Sequence, residues 1–340
     1  MGEIPEWVVT GKARQVETKR KPANGEDEAP PPTPISGRAI ALKDYPPTEW
    51  LIEELVPFGL IVFAGKPKIG KSWLALQIAL SCAIGTPTFG RLSTMQCGVL
   101  YLALEDGEKR IHARQDKMLR GELPPDDIEY VMQWPAGMRG LECLGGYLDG
   151  HPRCRLVIVD PWAKIRGEPD GRKGVYQQDY QDMGELHAFA TQRNICLVLV
   201  LHTRKMDASD VLDRISGSTA IQGAADANLV LERKRNEALG QLSVHGRDII
   251  NGGDFAMSWD RESCRWTLLG EARQVQKESE QDRVFQFLQE QKEPVTVSEI
   301  VDALEMNRST VKSALNRLAK RGSIYAKRKD AWQAHRGDAD

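Results

Sequence analysis

Eight consecutive residues, 65–72, have the types and the spacing of a phosphate-binding loop. Their sequence, Gly-Lys-Pro-Lys-Ile-Gly-Lys-Ser, satisfies the pattern G-x-x-x-x-G-K-[ST] at each fixed position. In such a loop the glycines permit a tight turn that points backbone N–H groups at phosphates, the lysine contacts the β- and γ-phosphates, and the serine binds Mg²⁺. The sequence therefore predicts that a nucleoside triphosphate and Mg²⁺ bind at Gly65, Lys66, Pro67, Lys68, Ile69, Gly70, Lys71 and Ser72.

The segments on either side of this loop fit a position between a strand and a helix. Residues 59–64 form a short apolar run, which is typical of a buried strand, and residues 73–80 have helical composition without a helix breaker. A helix that opens at Lys71 adds its positive N-terminal end to the phosphate site. The alternative is a chance Gly-Lys-Ser turn before an ordinary helix, which this strand–loop–helix context disfavours.

A second apolar run, residues 156–160, ends in a carboxylate. The sequence Leu-Val-Ile-Val-Asp is the Walker B pattern, in which a buried strand delivers an aspartate to the metal. Open α/β sheets bind ligands at the carboxyl ends of their strands. We therefore expect Asp160 to lie beside Ser72 and to bind Mg²⁺ with it.

A third apolar run begins at Gly98 and ends in two carboxylates, Glu105 and Asp106. A glutamate at the end of this strand can orient water for in-line attack on the γ-phosphate, so Glu105 is the predicted catalytic base. Asp106 is predicted to cap a helix over 107–119. The alternative for Glu105 is a solvent-exposed strand end without a catalytic role.

The order of these motifs resembles the RecA-like ATPases of the plasmid RepA replicative helicase type. The resemblance covers about 41–250 and rests on the phosphate loop followed by Tyr101-Leu-Ala-Leu-Glu-Asp106, Arg110-Ile-His-Ala-Arg114, Val157-Ile-Val-Asp160, Val198-Leu-Val-Leu-His-Thr-Arg-Lys205 and Ser216-Gly-Ser-Thr-Ala220. It implies a RecA-like P-loop NTPase fold with a central parallel sheet, ATP and Mg²⁺ as cofactors, and a homo-oligomeric ring, a hexamer in that family. It also implies that Glu105 is the catalytic glutamate, Asp160 the Mg²⁺ aspartate and His202 the sensor of the γ-phosphate.

The residues around His202 agree with a sensor role. The apolar strand 197–202 ends in this histidine, which places an imidazole near the phosphates, where it can donate one hydrogen bond to an oxygen. A purely structural histidine at a strand end is the alternative.

Two basic segments follow strands at the same predicted edge. Residues 164–181 include Arg172 and Lys173, and residues 204–217 include Arg204 and Lys205. In the resembled family these positions face the pore of the ring and hold single-stranded DNA. A lid over bound phosphates is the alternative, since it has the same composition.

Hydrolysis in that family is completed by an arginine from the neighbouring subunit, which neutralises charge in the transition state. The candidates Arg233, Arg235 and Arg247 all follow the apolar run 226–231. Arg235 is the first choice by analogy with ring helicases and Arg247 the second, and the sequence departs here from a strict family pattern.

The composition is that of an ordinary globular protein: 340 residues, 41% hydrophobic and 28% charged, with a formal net charge of −2. There is no run of eighteen apolar residues and no N-terminal signal pattern, so we expect a cytoplasmic protein without a membrane segment. Six cysteines are scattered without a C-x-x-C pair, which indicates neither a zinc site nor a disulfide framework.

The chain divides into three predicted segments. Residues 1–40, rich in proline and charge, predict a disordered tail, and residues 41–270 alternate strand-like and helical stretches, as an α/β domain with a parallel sheet does. Arg273–Glu280 is a predicted linker to a small module over 281–336. The predicted strands are 60–64, 98–104, 156–160, 196–202, 227–231 and 241–245.

The C-terminal module has the pattern of a winged helix-turn-helix. Helical stretches over 282–288, 297–304 and 309–322 precede two short strand-like runs, and residues 307–329 carry eight basic side chains and no acid. The third helix is the predicted recognition element, with Arg308 and Lys312 facing out. Duplex DNA is one predicted partner, and a protein such as a replication protein is the alternative.

Taken together, these patterns predict an Mg²⁺-dependent ATPase that acts on DNA, a ring-shaped replicative DNA helicase of a plasmid, phage or other mobile element. Two alternatives remain open. One is a RecA- or KaiC-like recombination or repair ATPase that does not unwind DNA. The other is a regulator whose ATP state controls DNA binding by the winged helix.

Overall fold

The computed structural model describes residues 33–168, 174–203, 212, 215, 219–234, 237–291, 293–328 and 331–335. The chain separates into two compact units, Met1–Pro47 and Thr48–Asp340. Within the described part of the first unit, residues Gly37–Ala41 form a short helix, α1, whose start is capped by the Ser36 hydroxyl. The predicted disordered tail 1–40 therefore ends in one helical turn, while its residues 1–32 lie outside the described residues.

The second unit begins with a small hairpin of β1 (Trp50–Ile52) and β2 (Val56–Pro57) and continues into a sheet of nine strands. From one side to the other the strands are β5 (Ile128–Val131), β4 (Gly98–Ala103), β6 (Cys154–Asp160), β7 (Cys196–His202), β3 (Gly59–Gly65), β8 (Ala227–Arg233), β9 (Leu239–Gly246), β10 (Gly253–Trp259) and β11 (Trp266–Glu271). The first six are parallel to one another, and β9, β10 and β11 continue the sheet in antiparallel fashion. This architecture confirms the predicted α/β fold with a central parallel sheet, which three antiparallel strands extend on one side.

Helices cover both faces of this sheet, which is why the central strands are apolar without interruption. One face packs against α2 (Lys71–Ile84) and α3 (Glu108–Leu119). The other packs against α4 (Gly137–Gly150), α5 (Val175–Arg193) and α6 (Thr219–Ala224). None of the helices that the structure describes is long and apolar enough to span a bilayer.

The sheet brings the strand ends that precede or contain the candidate site residues to one edge. The parallel registers place Gly65 beside His202 and Leu231, and Ala103 beside Asp160. β7 lies between the strand of the phosphate loop and the Walker B strand. We call this side of the sheet the carboxyl edge.

All six predicted strands form, but the predicted linker does not. Residues 273–280 belong to a continuous helix, α7 (Ala272–Glu290), which starts directly after β11. The segment is polar but contains no glycine or proline, and the Gln274 and Gln276 amides donate to Glu278 and Glu280 one turn later, at 2.6 and 3.1 Å. A polar composition is typical of linkers, but these residue types also favour helix. The helix predicted over 282–288 is the second half of this longer helix.

The C-terminal module has the predicted winged helix-turn-helix arrangement. It contains α8 (Val297–Leu304), α9 (Arg308–Lys320) and a sheet of β12 (Val295–Thr296), β13 (Ile324–Arg328) and β14 (Ala331–Ala334). Val284 and Leu288 of α7 are buried in the same core as Val311, Leu315 and Leu318 of α9. The module is therefore joined to the sheet by a helix that belongs to its own core.

Candidate active site

The phosphate loop turns where the sequence predicts, between β3 and α2. Gly70, which precedes the first residue of α2, has a φ of 106°, and a Cβ on it would lie 3.1 Å from the ring of Trp266. Both the left-handed conformation and the close ring require glycine here. Pro67, Lys68, Gly70, Lys71 and Ser72 line an open cleft of about 1130 Å³, whereas Ile69 is buried beneath the loop and Lys66 lines a neighbouring groove.

Lys71 is nearly buried, with 6% of its surface exposed. Its amine donates to the carbonyl oxygens of Gly65 and Lys66 at 2.6 and 2.9 Å and lies 3.2 Å from Nδ1 of His202. Burial lowers the pKa of Lys71 to about 8, although the charges of Asp160 and Glu105 oppose this shift. The ammonium group of Lys71 is therefore poorly solvated, and this desolvation favours its pairing with phosphate oxygens.

His202 ends β7 with an exposed ring at the carboxyl edge. An ammonium group can only donate, so Nδ1 accepts from Lys71 and the ring proton resides on Nε2. Burial and the charge of Lys71 lower the pKa of His202, which keeps the imidazole neutral near pH 7. The geometry therefore leaves one N–H that can donate to a ligand oxygen.

Asp160 and Ser72 meet at the floor of the same cleft. Burial raises the pKa of Asp160, and hydrogen bonds from Ser72 and Tyr101 work against that increase. A hydroxyl and a partly buried carboxylate, both oxygen ligands, fit Mg²⁺ well because a cation would compensate the desolvated charge. The predicted metal pair is therefore brought together.

Glu105 and Asp106 follow β4 and have different environments. Glu105 is exposed and lines the cleft, where its charge opposes the lowering of the pKa of Lys71 and of His202. Asp106 accepts from Arg110 at 2.7 Å and forms a second ion pair with Arg114. The prediction that Asp106 caps α3 is wrong, because the cap is Gly107, and the two arginines bind the carboxylate instead.

Trp266 of β11 supports the phosphate loop and was not identified from the sequence. It is fully buried, and its Nε1 lies 3.4 Å from the Gly70 carbonyl oxygen to which it donates. Its backbone exchanges two hydrogen bonds with the Gln77 amide of α2, at 2.7 and 2.8 Å. The residues lie 189 and 196 positions apart in the chain, so no local sequence signal could pair them.

The candidate arginines lie in different places. Arg233 lines the cleft of its own chain, with its guanidinium 5.1 and 5.3 Å from the rings of Trp259 and Trp266. Arg247 lies beyond the opposite end of the parallel strands, where it donates to Gly223 at 2.9 Å and faces Asp226. Arg235, the first choice, lies outside the described residues.

The predicted DNA contacts divide between described and undescribed residues. Arg172, Lys173, Arg204 and Lys205 lie outside the part of the chain that the structure describes. On α9, Arg308 and Lys312 are exposed, and the guanidinium of Arg308 donates to the Ser298 hydroxyl at 3.2 Å. The inward side chains of α9 are those that the periodicity predicts, so its basic face is turned away from the core.

Comparison with solved structures gives two examples of similar chains. One is described as the ATPase domain of another protein, with 14% identity and a TM-score of 0.49 over 62% of this chain and 84% of that one. The other is described as "The Structure Of A DnaB-Like Replicative Helicase And Its Interactions With Primase", with 13% identity and a TM-score of 0.49 over 62% and 58% of the two chains. No curated protein sequence matches this chain.

Two family models match different parts of the sequence. Residues 283–327 match the IclR helix-turn-helix domain, which covers most of the C-terminal module. Residues 29–208 match a model described as an AAA domain, and this range contains the phosphate loop, Glu105, Asp160 and His202. Since that match spans more than half of the sequence, the chain belongs to the AAA-domain family.

Proposed function

We propose that this protein hydrolyses ATP with Mg²⁺ and couples hydrolysis to single-stranded DNA as a ring-forming replicative helicase of the plasmid RepA type. The observation that carries the ATPase part is the convergence of Lys71, Ser72, Asp160, Glu105 and His202 on one cleft. The order of the motifs supports the RepA type, and the cytoplasm of a cell that hosts a plasmid, phage or other mobile element is the proposed location.

Each residue of the cleft has a role in this proposal. Lys71 binds the β- and γ-phosphates, and the backbone of residues 65–72 cradles them. Ser72 and Asp160 would hold Mg²⁺, whose charge would compensate the negative charge that develops on the phosphates. Glu105 orients the attacking water, and Nε2 of His202 donates to the γ-phosphate.

The basic segments and the winged module supply the proposed DNA contacts. Arg172, Lys173, Arg204 and Lys205 contact single-stranded DNA in the pore of the ring, and Arg235 completes the active site of the neighbouring subunit. Arg308 and Lys312 contact duplex DNA or a replication protein. Binding of single-stranded DNA by the core and of a different partner by the winged module requires segments 41–270 and 281–336 to act as separate binding domains within one chain.

Strand displacement tests the helicase part of the proposal. The full chain is given a forked duplex and ATP, and its mass in solution is measured with a non-hydrolysable ATP analogue. We expect ATP-dependent displacement by a ring-sized oligomer, and Glu105→Gln is the matched inactive control. Turnover that single-stranded DNA stimulates without any displacement would favour a recombination or repair ATPase instead.

A second candidate function, an ATP-gated DNA-binding regulator, is favoured by the path from Trp266 to the winged module. Trp266 contacts the phosphate loop and begins β11, and α7 runs from the end of β11 into the core of the module without interruption. In this function, a shift of the loop on nucleotide binding would pass through Trp266 and β11 to this helix. Duplex affinity that changes with bound nucleotide, in the absence of single-stranded DNA stimulation, would support this function over the first.

A further inference from the structure

Tyr101 is a buried polar residue next to the candidate metal site, and the proposed function gives it no role. It lies on β4 with 1% of its surface exposed, and its phenol donates to Oδ2 of Asp160 at 2.9 Å. A hydroxyl in the middle of an apolar core costs stability unless it makes such a hydrogen bond. The acceptor of this hydrogen bond is the Asp160 carboxylate, which would hold Mg²⁺.

The register of the sheet explains this contact. In the β4–β6 pair Tyr101 lies opposite Ile158 and Ala103 lies opposite Asp160. Alternate residues of a strand face the same side, so Tyr101 and Asp160 are diagonal neighbours on one face, within reach of a long aromatic side chain. α2, which carries Ser72, covers this same face. The Tyr101 hydroxyl and the Ser72 hydroxyl therefore both reach the Asp160 carboxylate from the same face of the sheet.

The phenol can act only as a donor toward Asp160 under ordinary conditions. The phenol carries the proton of this pair, so its O–H donates and the Asp160 carboxylate accepts. Its ring is held by Tyr130, whose centroid is 5.8 Å away and whose own hydroxyl accepts from Gln115 at 3.0 Å. The donor is thus fixed in place by packing before any metal binds.

We propose that Tyr101 is a positioning residue that fixes the Asp160 carboxylate in the orientation that binds Mg²⁺. The inference rests on the proposed metal role of Asp160. A hydrogen bond to one carboxylate oxygen stops the group from rotating, so the metal meets a preformed ligand. Loss of an outer-shell partner of this kind typically weakens metal binding by about 10–100-fold.

The test compares Tyr101→Phe with Tyr130→Phe in the full chain. Each change removes one phenol oxygen from one of two neighbouring rings, that of buried Tyr101 or that of partly buried Tyr130, but only the first oxygen contacts Asp160. The measurement is the Mg²⁺ concentration that gives half of the metal-dependent increase in affinity for a fluorescent non-hydrolysable ATP analogue. Affinity for the same analogue is measured in EDTA, below the melting temperature of every variant.

We expect Tyr101→Phe to raise the Mg²⁺ midpoint at least about tenfold and to leave the affinity in EDTA within about twofold of wild type. Tyr130→Phe should match wild type in both. In an Asp160→Asn background, Tyr101→Phe should have no further effect on the midpoint, because the ligand it positions is gone.

Three outcomes would overturn the inference. One is an unchanged Mg²⁺ midpoint in Tyr101→Phe. Another is a loss of specificity: either the Mg²⁺ midpoint shifts equally in both phenylalanine variants, or Tyr101→Phe loses the same affinity for the analogue with Mg²⁺ as in EDTA. Either result would indicate a general packing role for Tyr101. The third is a wild-type chain whose nucleotide binding ignores Mg²⁺, which would remove the metal role of Asp160 itself and with it the proposed function.

Discussion

The carboxyl edge of the sheet and the face of α9 hold their charged side chains in contrasting ways. At the edge, the amine of Lys71 is almost buried and has three polar neighbours within 3.2 Å. On α9, Arg308 and Lys312 are both exposed, and the guanidinium of Arg308 donates to the surface hydroxyl of Ser298. Binding at the carboxyl edge should depend on the positions of single atoms, whereas binding by α9 should depend on the summed charge of several side chains.

This difference decides how each region should respond to change. Buried, desolvated groups lose most of their function when one atom is removed, because no neighbour can replace it. Exposed cations act through counterion release, so their effects add up and are screened by salt. Substitution of a buried group such as Lys71 should therefore have a near-complete effect, whereas substitutions on α9 should have graded, salt-dependent effects.

The largest expected effect separates two residues of the edge. Lys71→Ala should abolish ATP turnover, because it removes the charge at the β- and γ-phosphates. Glu105→Gln should keep ATP binding and lower the hydrolysis rate by about 10²–10⁴-fold, because only the orientation of water is lost. Binding of a fluorescent analogue and single-turnover hydrolysis measure the two phenotypes.

Asp106→Asn is the matched control for the glutamate. Asp106 is engaged with Arg110 and Arg114, so this change should disturb α3 more than the chemical step. Near wild-type hydrolysis by Glu105→Gln, together with a strong defect in Asp106→Asn, would transfer the base role to Asp106.

A graded effect is expected on α9. The double change Arg308→Glu and Lys312→Glu should weaken duplex DNA binding and reduce the slope of log affinity against log salt by about two units, as the loss of two phosphate contacts predicts. Arg273→Glu with Lys277→Glu, a similar change on the exposed side of α7, is the control. An unchanged affinity and slope would make the module a protein-docking element with a solvated basic face.

A smaller effect is expected at the end of β7. His202→Ala should leave basal hydrolysis measurable but remove its stimulation by single-stranded DNA, because this strand end joins the phosphates to the predicted DNA segment 204–217. Hydrolysis rates with and without oligonucleotide measure the coupling. Equal stimulation in the variant and the wild type would return His202 to a structural role.

The smallest effect concerns pH. Burial holds the pKa of Lys71 at about 8, below its ordinary value, so the unliganded amine loses its proton as pH rises through that range. Phosphate binds the charged amine, hence affinity for an ATP analogue should fall above about pH 8 by at most about tenfold per pH unit. Lys71→Gln cannot titrate and should bind weakly with a flat profile. A flat wild-type profile from about pH 7 to about pH 9.5 would contradict this account of Lys71.

The sequence predicts the residues of the edge well because each lies at a strand end within a local pattern. Lys71, Asp160 and His202 each follow an uninterrupted apolar run, and the parallel sheet then brings the run ends together. The outward positions of Arg308 and Lys312 could also be predicted from the sequence, because the helical periodicity of α9 alone assigns its buried and exposed faces.

The parts that sequence reasoning missed depend on long-range contacts or on composition. Trp266 and Tyr101 gain their roles from partners on other strands and helices, which no local period reveals. The first half of α7 was missed because it is mostly polar, although its residue types favour helix. β10 and β11 were missed as well, and they carry Trp259, which lines the cleft, and Trp266, which contacts the phosphate loop.

The rate of ATP hydrolysis with and without single-stranded DNA tests the central claim most directly. The account predicts Mg²⁺-dependent hydrolysis by the full chain that single-stranded DNA accelerates and that Glu105→Gln suppresses while still binding ATP. Hydrolysis that is indifferent to single-stranded DNA, or that survives unchanged in Glu105→Gln, would contradict it.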